Sequence, residues 1–367
     1  MSVVHQALVG LRRSFVTIAE EGATHRPSIS KMNQYEIAHG SVGMIHPLAQ
    51  GTIFVYGADR ASWLQGLLTN DLAALAAGRG CYAAWLTPQG RMVTDMRVFE
   101  LGERILLDVP APLATALATR LEQLVFAEDV RIENASDRFE PVRVIGPAAA
   151  EAVAAAVNAV AGKATIAGRE LARWIEYQNA AFTVVQSEVI VVKDNGLGVA
   201  GYDIYSTVGA DLRHALERAG AAHLDHSIAE TLRIEAGRPL FGVDMDTDTI
   251  PLEAGIEDRA MSFSKGCYVG QEVIVRVVSR GHGRVVRKLV GLVLEGERVP
   301  DAGEPLFTNG REIGRVTSAT RSPALDRPIA LGYVHRDFAE PGHRVAVGVA
   351  SGATATVTQL PFVTFAP

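Results

Sequence analysis

The sequence predicts an α+β protein of several domains that closes with a β-barrel. Three observations carry this. At 367 residues the chain exceeds what one ordinary hydrophobic core supports, so two or three domains are expected. Between residues 51 and 126 the patterns run strand, helix, hairpin, strand, helix, an order that packs helices on an antiparallel or mixed sheet. After residue 284 short alternating segments and an Asn309-Gly310 turn take over, the signature of a small closed sheet.

Composition narrows the class. Hydrophobic residues make up 48% and charged residues 21% of the chain, as in a folded globular protein. No run reaches the ~18 apolar residues of a membrane helix. Leu11-Arg12-Arg13-Ser14-Phe15 is not followed by an apolar core of signal-peptide length, so cytoplasmic residence is expected. A net charge of −6 argues against a protein that coats nucleic acid. The two cysteines, Cys81 and Cys267, form no CxxC or Cys/His cluster. No metal ligand set is therefore encoded, and no disulfide is expected in a reducing compartment.

In chain order, residues 1–36 form an N-terminal extension with a helix near Val4 to Glu20. Residues 37–140 form the first αβ domain. Gly51 to Tyr56 alternates as a strand, and Asp59 is placed to cap a helix carrying Trp63, Leu64, Leu67 and Leu68, stopped by Thr69-Asn70-Asp71. Cys81 to Leu86 and Met92 to Glu100 form a hairpin, Ile105 to Val109 a strand, and Leu113 to Phe126 a helix. A second αβ domain covers 141–283, with strands at Val142 to Ile145, Ala181 to Ser187 and Val189 to Lys193, and helices at Ala148 to Val160, Ala210 to Gly220 and Ser227 to Glu235. Gly196-Leu197-Gly198-Val199-Ala200-Gly201 matches the dinucleotide fingerprint in form only. That fingerprint must open a helix, whereas Tyr202 to Thr207 alternates as a strand. Residues 237–265 read as a long ordered loop, and Glu272, Arg276 and Arg280 recur at helical spacing. Residues 284–367 form the barrel.

The chemistry-bearing stretch is Lys265-Gly266-Cys267-Tyr268-Val269-Gly270-Gln271-Glu272. Lys265 would favour a Cys267 thiolate if its ammonium lay near the sulfur. Against this stands the ordinary behaviour of free cysteine as a small buried hydrophobe. The wording, preceded by Ile250-Pro251-Leu252-Glu253-Ala254-Gly255, resembles the motif of the YgfZ-type folate-binding proteins, relatives of the glycine-cleavage T-protein (aminomethyltransferase). The likeness extends in order through Leu67-Leu68-Thr69-Asn70-Asp71, Gly90 to Asp95, Arg233-Ile234-Glu235-Ala236-Gly237 and Gly314 to Ser318, over about residues 37 to 362.

The resemblance implies a three-domain cloverleaf around a central folate site, with the third domain a β-barrel. It implies tetrahydrofolate, or a one-carbon derivative, as ligand. By position Asp95 resembles the aspartate near the reacting nitrogen, Asp203 the acidic residue that reads the pterin, and Arg233 the arginine near the folate, where its fork suits glutamyl carboxylates. Tyr202 either stacks on the pterin or packs. Where the transferases commonly show two successive aspartates, this chain has Thr94-Asp95. Two functions follow. The first is a folate-binding accessory factor for iron–sulfur cluster assembly or repair, affecting tRNA-modifying iron–sulfur enzymes, with Cys267 as working thiol beside Lys265 and with iron–sulfur proteins or their assembly machinery as partners. The alternative is a folate-dependent aminomethyltransferase in which Asp95 positions the donor amine or takes its proton. A third reading, RNA recognition through Arg276, Arg280, Arg284, Arg287 and Lys288, competes with a merely solvated charged face.

Overall fold

A computed structural model describes residues 30–46, 48–184, 187–279, 284–349 and 351–364. The helix expected near Val4 to Glu20 lies outside them. Helix α1 (Lys31–Gly40) starts where the Ser30 hydroxyl accepts from the Asn33 amide, and β1 (Gly43–Ile45) follows. Next come β2 (Gln50–Tyr56), α2 (Arg60–Gln65), the hairpin β3 (Arg79–Leu86) and β4 (Met92–Glu100), β5 (Arg104–Pro110), α3 (Ala114–Glu122) and β6 (Arg131–Asn134). The strands from β2 to β6 form one antiparallel sheet in the order β3-β4-β5-β2-β6.

The chain continues through β7 (Glu140–Ile145), α4 (Ala149–Ala161), α5 (Gly168–Leu171), β8 (Asn179–Val184), β9 (Ser187–Lys193), β10 (Gly201–Ser206), α6 (Gly209–Arg218), β11 (Ala222–His223) and α7 (His226–Glu235). The second sheet has the order β11-β1-β7-β10-β9-β8. The glycine-rich stretch before β10 is a loop that feeds a strand, as the alternation requires. A long connection then holds only the short helices α8 (Pro251–Ala254) and α9 (Glu257–Ala260) before α10 (Gln271–Ser279). Strands β12 (Arg287–Leu294), β13 (Pro305–Thr308), β14 (Arg311–Ser322), β15 (Arg327–His335), β16 (Arg344–Val347) and β17 (Ala353–Thr358) close into a six-stranded barrel through β12–β17 pairing.

The two open sheets face each other. Phe54, Phe99 and Leu106 of the first meet Ile190, Val192 and Tyr205 of the second in an apolar interlayer. The outer face of the first sheet is covered by α2, α3 and residues from 241 to 285, and that of the second by α4 and α6. Helices thus cover a double sheet on both sides, and the barrel docks on Ile234 of α7 through Ile329 and Leu331. Among the described residues no helix is long and apolar enough to cross a membrane.

Local departures from the expected elements have physical causes. The Asp59 side chain accepts from the Asp129 amide at 2.9 Å instead of capping α2, which ends at Gln65. Leu67 and Leu68 lie beyond it, and the Leu68–Trp85 bridge brings that segment to β3. The helix expected from the spacing of Glu272 and Arg276 is present despite the β-branched run Val273 to Val278, because α10 seats Ile274 in the first core. Packing also cuts across the boundary drawn at residue 140. β1 pairs in the second sheet, and Phe241, Met245, Ile256 and Ile274 pack on the first.

Candidate active site

β4 pairs with β5 only from Arg97 onward, so the β5-side edge of the residues before it is not paired with that strand. Asp95 sits at that open edge and remains partly exposed, while Thr94 is buried on the opposite face of the strand. Tyr82 of β3 donates its hydroxyl to Asp95 Oδ2 at 2.7 Å. Burial raises the Asp95 carboxyl above its ordinary value, opposed by the Tyr82 bond and the Arg259 and Arg97 charges. Arg259, at the end of α9, lies with its guanidinium carbon 5.1 Å from the Tyr82 ring centroid.

The motif residues of the first domain hold this arrangement together. Asn70 donates to the carbonyls of Tyr82 and Arg259 at 2.9 and 3.0 Å, and the Thr69 hydroxyl to that of Ala260 at 2.6 Å. Lys265 donates to the carbonyls of Gln65, Leu68 and Asn70 at 2.7, 2.7 and 2.8 Å. All three ammonium protons are therefore committed to one turn. Burial lowers Lys265 to about 8, against the raising influence of Asp71 and Cys81. Gly270, at φ +85°, presses on the 87–90 turn: a Cβ there would lie 2.5 Å from the Thr87 carbonyl.

Loop residues 176–177 complete the surroundings. Tyr177 holds φ 62°, a left-handed conformation uncommon for a side chain of this size. Glu176 accepts from the Asn195 amide at 3.1 Å and is pushed up to about 7 by burial and by the Asp194 carboxylate. Arg238 follows α7 and feels Arg259, Tyr177, Glu176 and Asp194 as charges. Arg238 and Arg259 line an open cavity of about 650 Å³ between the end of α7, α8 and the barrel. Tyr82, Glu176, Tyr177, Arg238 and Arg259 were not singled out from the sequence. The Asn70 and Lys265 motifs, which grip the segments carrying Tyr82 and Arg259, were the signal that could have found two of them.

Three residues expected at the ligand are occupied elsewhere. Asp203 is fully buried between the sheets, where Arg143 and Arg97 each bond it. Burial alone would raise its carboxyl, but the two guanidiniums overcome this and hold it at about 2. Tyr202, the next residue in a strand, necessarily points to the other face. There it packs in the second core and donates to the Leu171 carbonyl at 2.8 Å. Arg233 spends its fork on Glu230 and bonds Asp244, the Arg238 carbonyl and Ser318, which ties α7 to the barrel. Lys265 has partners of its own as well. Cys267 is exposed, but the Lys265 ammonium is turned to backbone carbonyls. Cys81 packs at the rim of the first core, and burial pushes its thiol up to about 12. Arg287, one member of the basic cluster, pairs with Glu253 at 3.1 Å.

Comparison with known proteins follows the same lines. The GCVT N-terminal domain matches residues 28–265, and the glycine cleavage T-protein C-terminal barrel domain matches residues 287–364. The chain belongs to the glycine-cleavage T-protein family. An aminomethyltransferase of Corynebacterium jeikeium is 31% identical over 343 residues, spanning 89% of this chain and 86% of its own. That of Bacillus subtilis is 30% identical over 339 residues, with 90% of each covered. The crystal structure of the glycine cleavage system aminomethyltransferase T from Bartonella henselae has the same fold, with a TM-score of 0.79, 24% identity, and coverage of 91% of this chain and 90% of that one. The cloverleaf with its terminal barrel is thus the T-protein fold. These matches reach the T-protein family, while the YgfZ-type branch rests on the wording of residues 250–255 and 265–272. The order of the two functional readings is reversed, because these relatives carry the name of the alternative, aminomethyltransferase.

Proposed function

We propose that this T-protein family member is a folate-dependent one-carbon transferase that moves an aminomethyl unit from a donor to tetrahydrofolate. The observation that carries the reading is the Asp95–Tyr82 pair at the open edge of β4, beside Arg259, which itself lines a cavity of ligand size. Tyr82 holds Oδ2, which leaves Oδ1 to address a substrate N–H. A carboxylate made more basic by burial is suited to orienting an amine and taking its proton as the new C–N bond forms. Arg259 places a positive charge over the tyrosine ring and limits how far the carboxyl rises. Asp203, Arg233 and Tyr202 have structural partners, so ligand recognition falls to the residues around Asp95.

Turnover is tested with tetrahydrofolate and a lipoyl-bearing carrier protein loaded with the aminomethyl group. Asp95→Asn is expected to lower kcat by about 10²–10⁴-fold with the fold intact by circular dichroism. Wild-type protein that binds tetrahydrofolate but never turns over would remove the transferase reading. A second reading keeps the iron–sulfur accessory role, because Cys267 is exposed and the space beside Gly266 is open. It requires that Cys267→Ala fail to restore a [4Fe-4S] enzyme in a strain lacking the gene; equal rescue by both proteins disposes of it.

A further inference from the structure

A sheet edge presents a row of unpaired backbone N–H and C=O groups, ready to pair with any extended chain that meets it. Among the described residues, three of the four edges of the two open sheets are blunted. β11 has only two residues, Ala222–His223, and β6 has four, with Arg131 and Glu133 among them. The free side of β3 is covered by residues 68–69, through the Leu68–Trp85 bridge and the Thr69 amide on the Ala84 carbonyl. β8 is different. It ends the second sheet, and its six residues, Asn179–Val184, include no charge, no proline and no bulge.

The register shows which groups are free. The Gln178 carbonyl accepts from the Lys193 amide at 2.8 Å, so that residue turns inward to β9. The Asn179 amide turns outward and bonds the Gly78 carbonyl at 3.0 Å. Alternation then points the N–H and C=O of Ala181 and Thr183 outward as well, and both residues are exposed. Gly78 thus begins a pairing that the chain does not continue. Beyond it opens a cleft of about 860 Å³, lined by Ala181 and Thr183 from the second sheet and by Tyr56, Leu101 and Glu103 from the first.

The cleft also states what the incoming chain should carry. Its arginines are taken, Arg104 by Glu188 and Arg138 by Glu133. Glu103 is exposed, and among the described residues no cation lies at ion-pair distance from it. Tyr56 and Leu101, half-buried, offer apolar contact. An extended backbone satisfies the free row, and neither a helix nor a small molecule presents groups at that repeat.

We propose that β8 is a docking edge for an extended segment of a partner protein, which adds a strand to the second sheet, lays an apolar side chain against Tyr56 and Leu101, and sets a lysine or arginine against Glu103. The donors and acceptors of Ala181 and Thr183 supply affinity, and the cleft supplies selectivity. The inference is independent of the folate reading.

The test selects a displayed library of random short peptides on the full chain and measures the recovered peptides by calorimetry. Binders should alternate apolar and polar residues and carry a basic one, and they should slow amide hydrogen exchange at Ala181 and Thr183. Ala181→Pro removes an outward N–H that β9 does not use, so circular dichroism should be unchanged while affinity falls at least about tenfold, the worth of one or two hydrogen bonds. Thr183→Lys puts a blocking charge on the edge and should weaken binding in the same way. Glu103→Lys should turn the preference from basic to acidic peptides, and tetrahydrofolate binding should be the same in every variant. Recovery of no binder, or of binders indifferent to Ala181→Pro and Thr183→Lys, overturns the proposal. So does a wild-type dimer in sedimentation that Ala181→Pro dissociates, since a second copy of the chain would then occupy the edge.

Discussion

Replacing Asp203 with asparagine isolates the charge lattice between the two sheets. The carboxylate accepts from Arg143 Nε at 2.6 Å on Oδ1, and from Arg143 Nη2 at 2.6 Å and Arg97 Nη1 at 2.5 Å on Oδ2. Arg97 reaches Asp108 of β5 and Asp194 as well, so these bonds join β4 and β5 to β7 and β10 across the interlayer. A carboxyl held at about 2, against its ordinary 3.8, contributes about 2 kcal/mol when both states are ionised. Removing one partner of a buried pair costs about 3–5 kcal/mol when the other charge is left uncompensated. Here Arg143 and Arg97 keep Asp194. The expected loss is therefore about 2–4 kcal/mol at pH 7. Urea unfolding read by tryptophan fluorescence gives it as a shift in midpoint at constant slope. The sign with pH is fixed by a depressed carboxyl. Its stabilisation is complete above 3.8 and vanishes as pH falls through about 2, so the gap between wild type and variant should close only in that range. A loss below about 0.5 kcal/mol, accompanied by weakened folate binding, would show that Asp203 reads the ligand and does not hold the sheets together.

Glu176 tests the opposite sign. Its native carboxyl protonates at about 7 rather than 4.5, so its contribution to stability is fully present below 4.5 and is lost as pH rises through about 7; Glu176→Gln should flatten the thermal midpoint between pH 4.5 and 7. Iodoacetamide at neutral pH should label Cys267 and spare Cys81 in native protein, since the second thiol is packed and pushed up to about 12; mass spectrometry showing equal labelling would contradict the packing. Gly270→Ala forces a side chain into a left-handed backbone 2.5 Å from the Thr87 carbonyl. It should lower stability by about 1–3 kcal/mol, whereas Gly266→Ala, with open space around it, should be close to neutral.

Much of the architecture was legible because it depends on local pattern. Period-two alternation located β2, β4, β5 and β10, and the Asn309-Gly310 turn located the β13–β14 hairpin of the barrel. Alternation also rejected the glycine-rich loop as a dinucleotide site. What failed were features that depend on a neighbour. The α2 cap went to an amide 70 residues away, and β6 was too short to show a period.

The residue types and motifs of the sequence determined the family, the barrel, the positions of Asp95 and Cys267, and the glycine on which the 265–272 loop turns. Only the tertiary structure decided which polar groups remain available to a ligand. Asp203, Arg233 and Lys265 carry the chemistry expected of a site, yet partners brought in from distant strands and turns consume their hydrogen-bonding edges. Arg238 and Arg259, unremarked in the sequence, have no carboxylate at ion-pair distance among the described residues. The reason is physical: side-chain chemistry is local, but whether a charge is neutralised depends on what the fold packs against it.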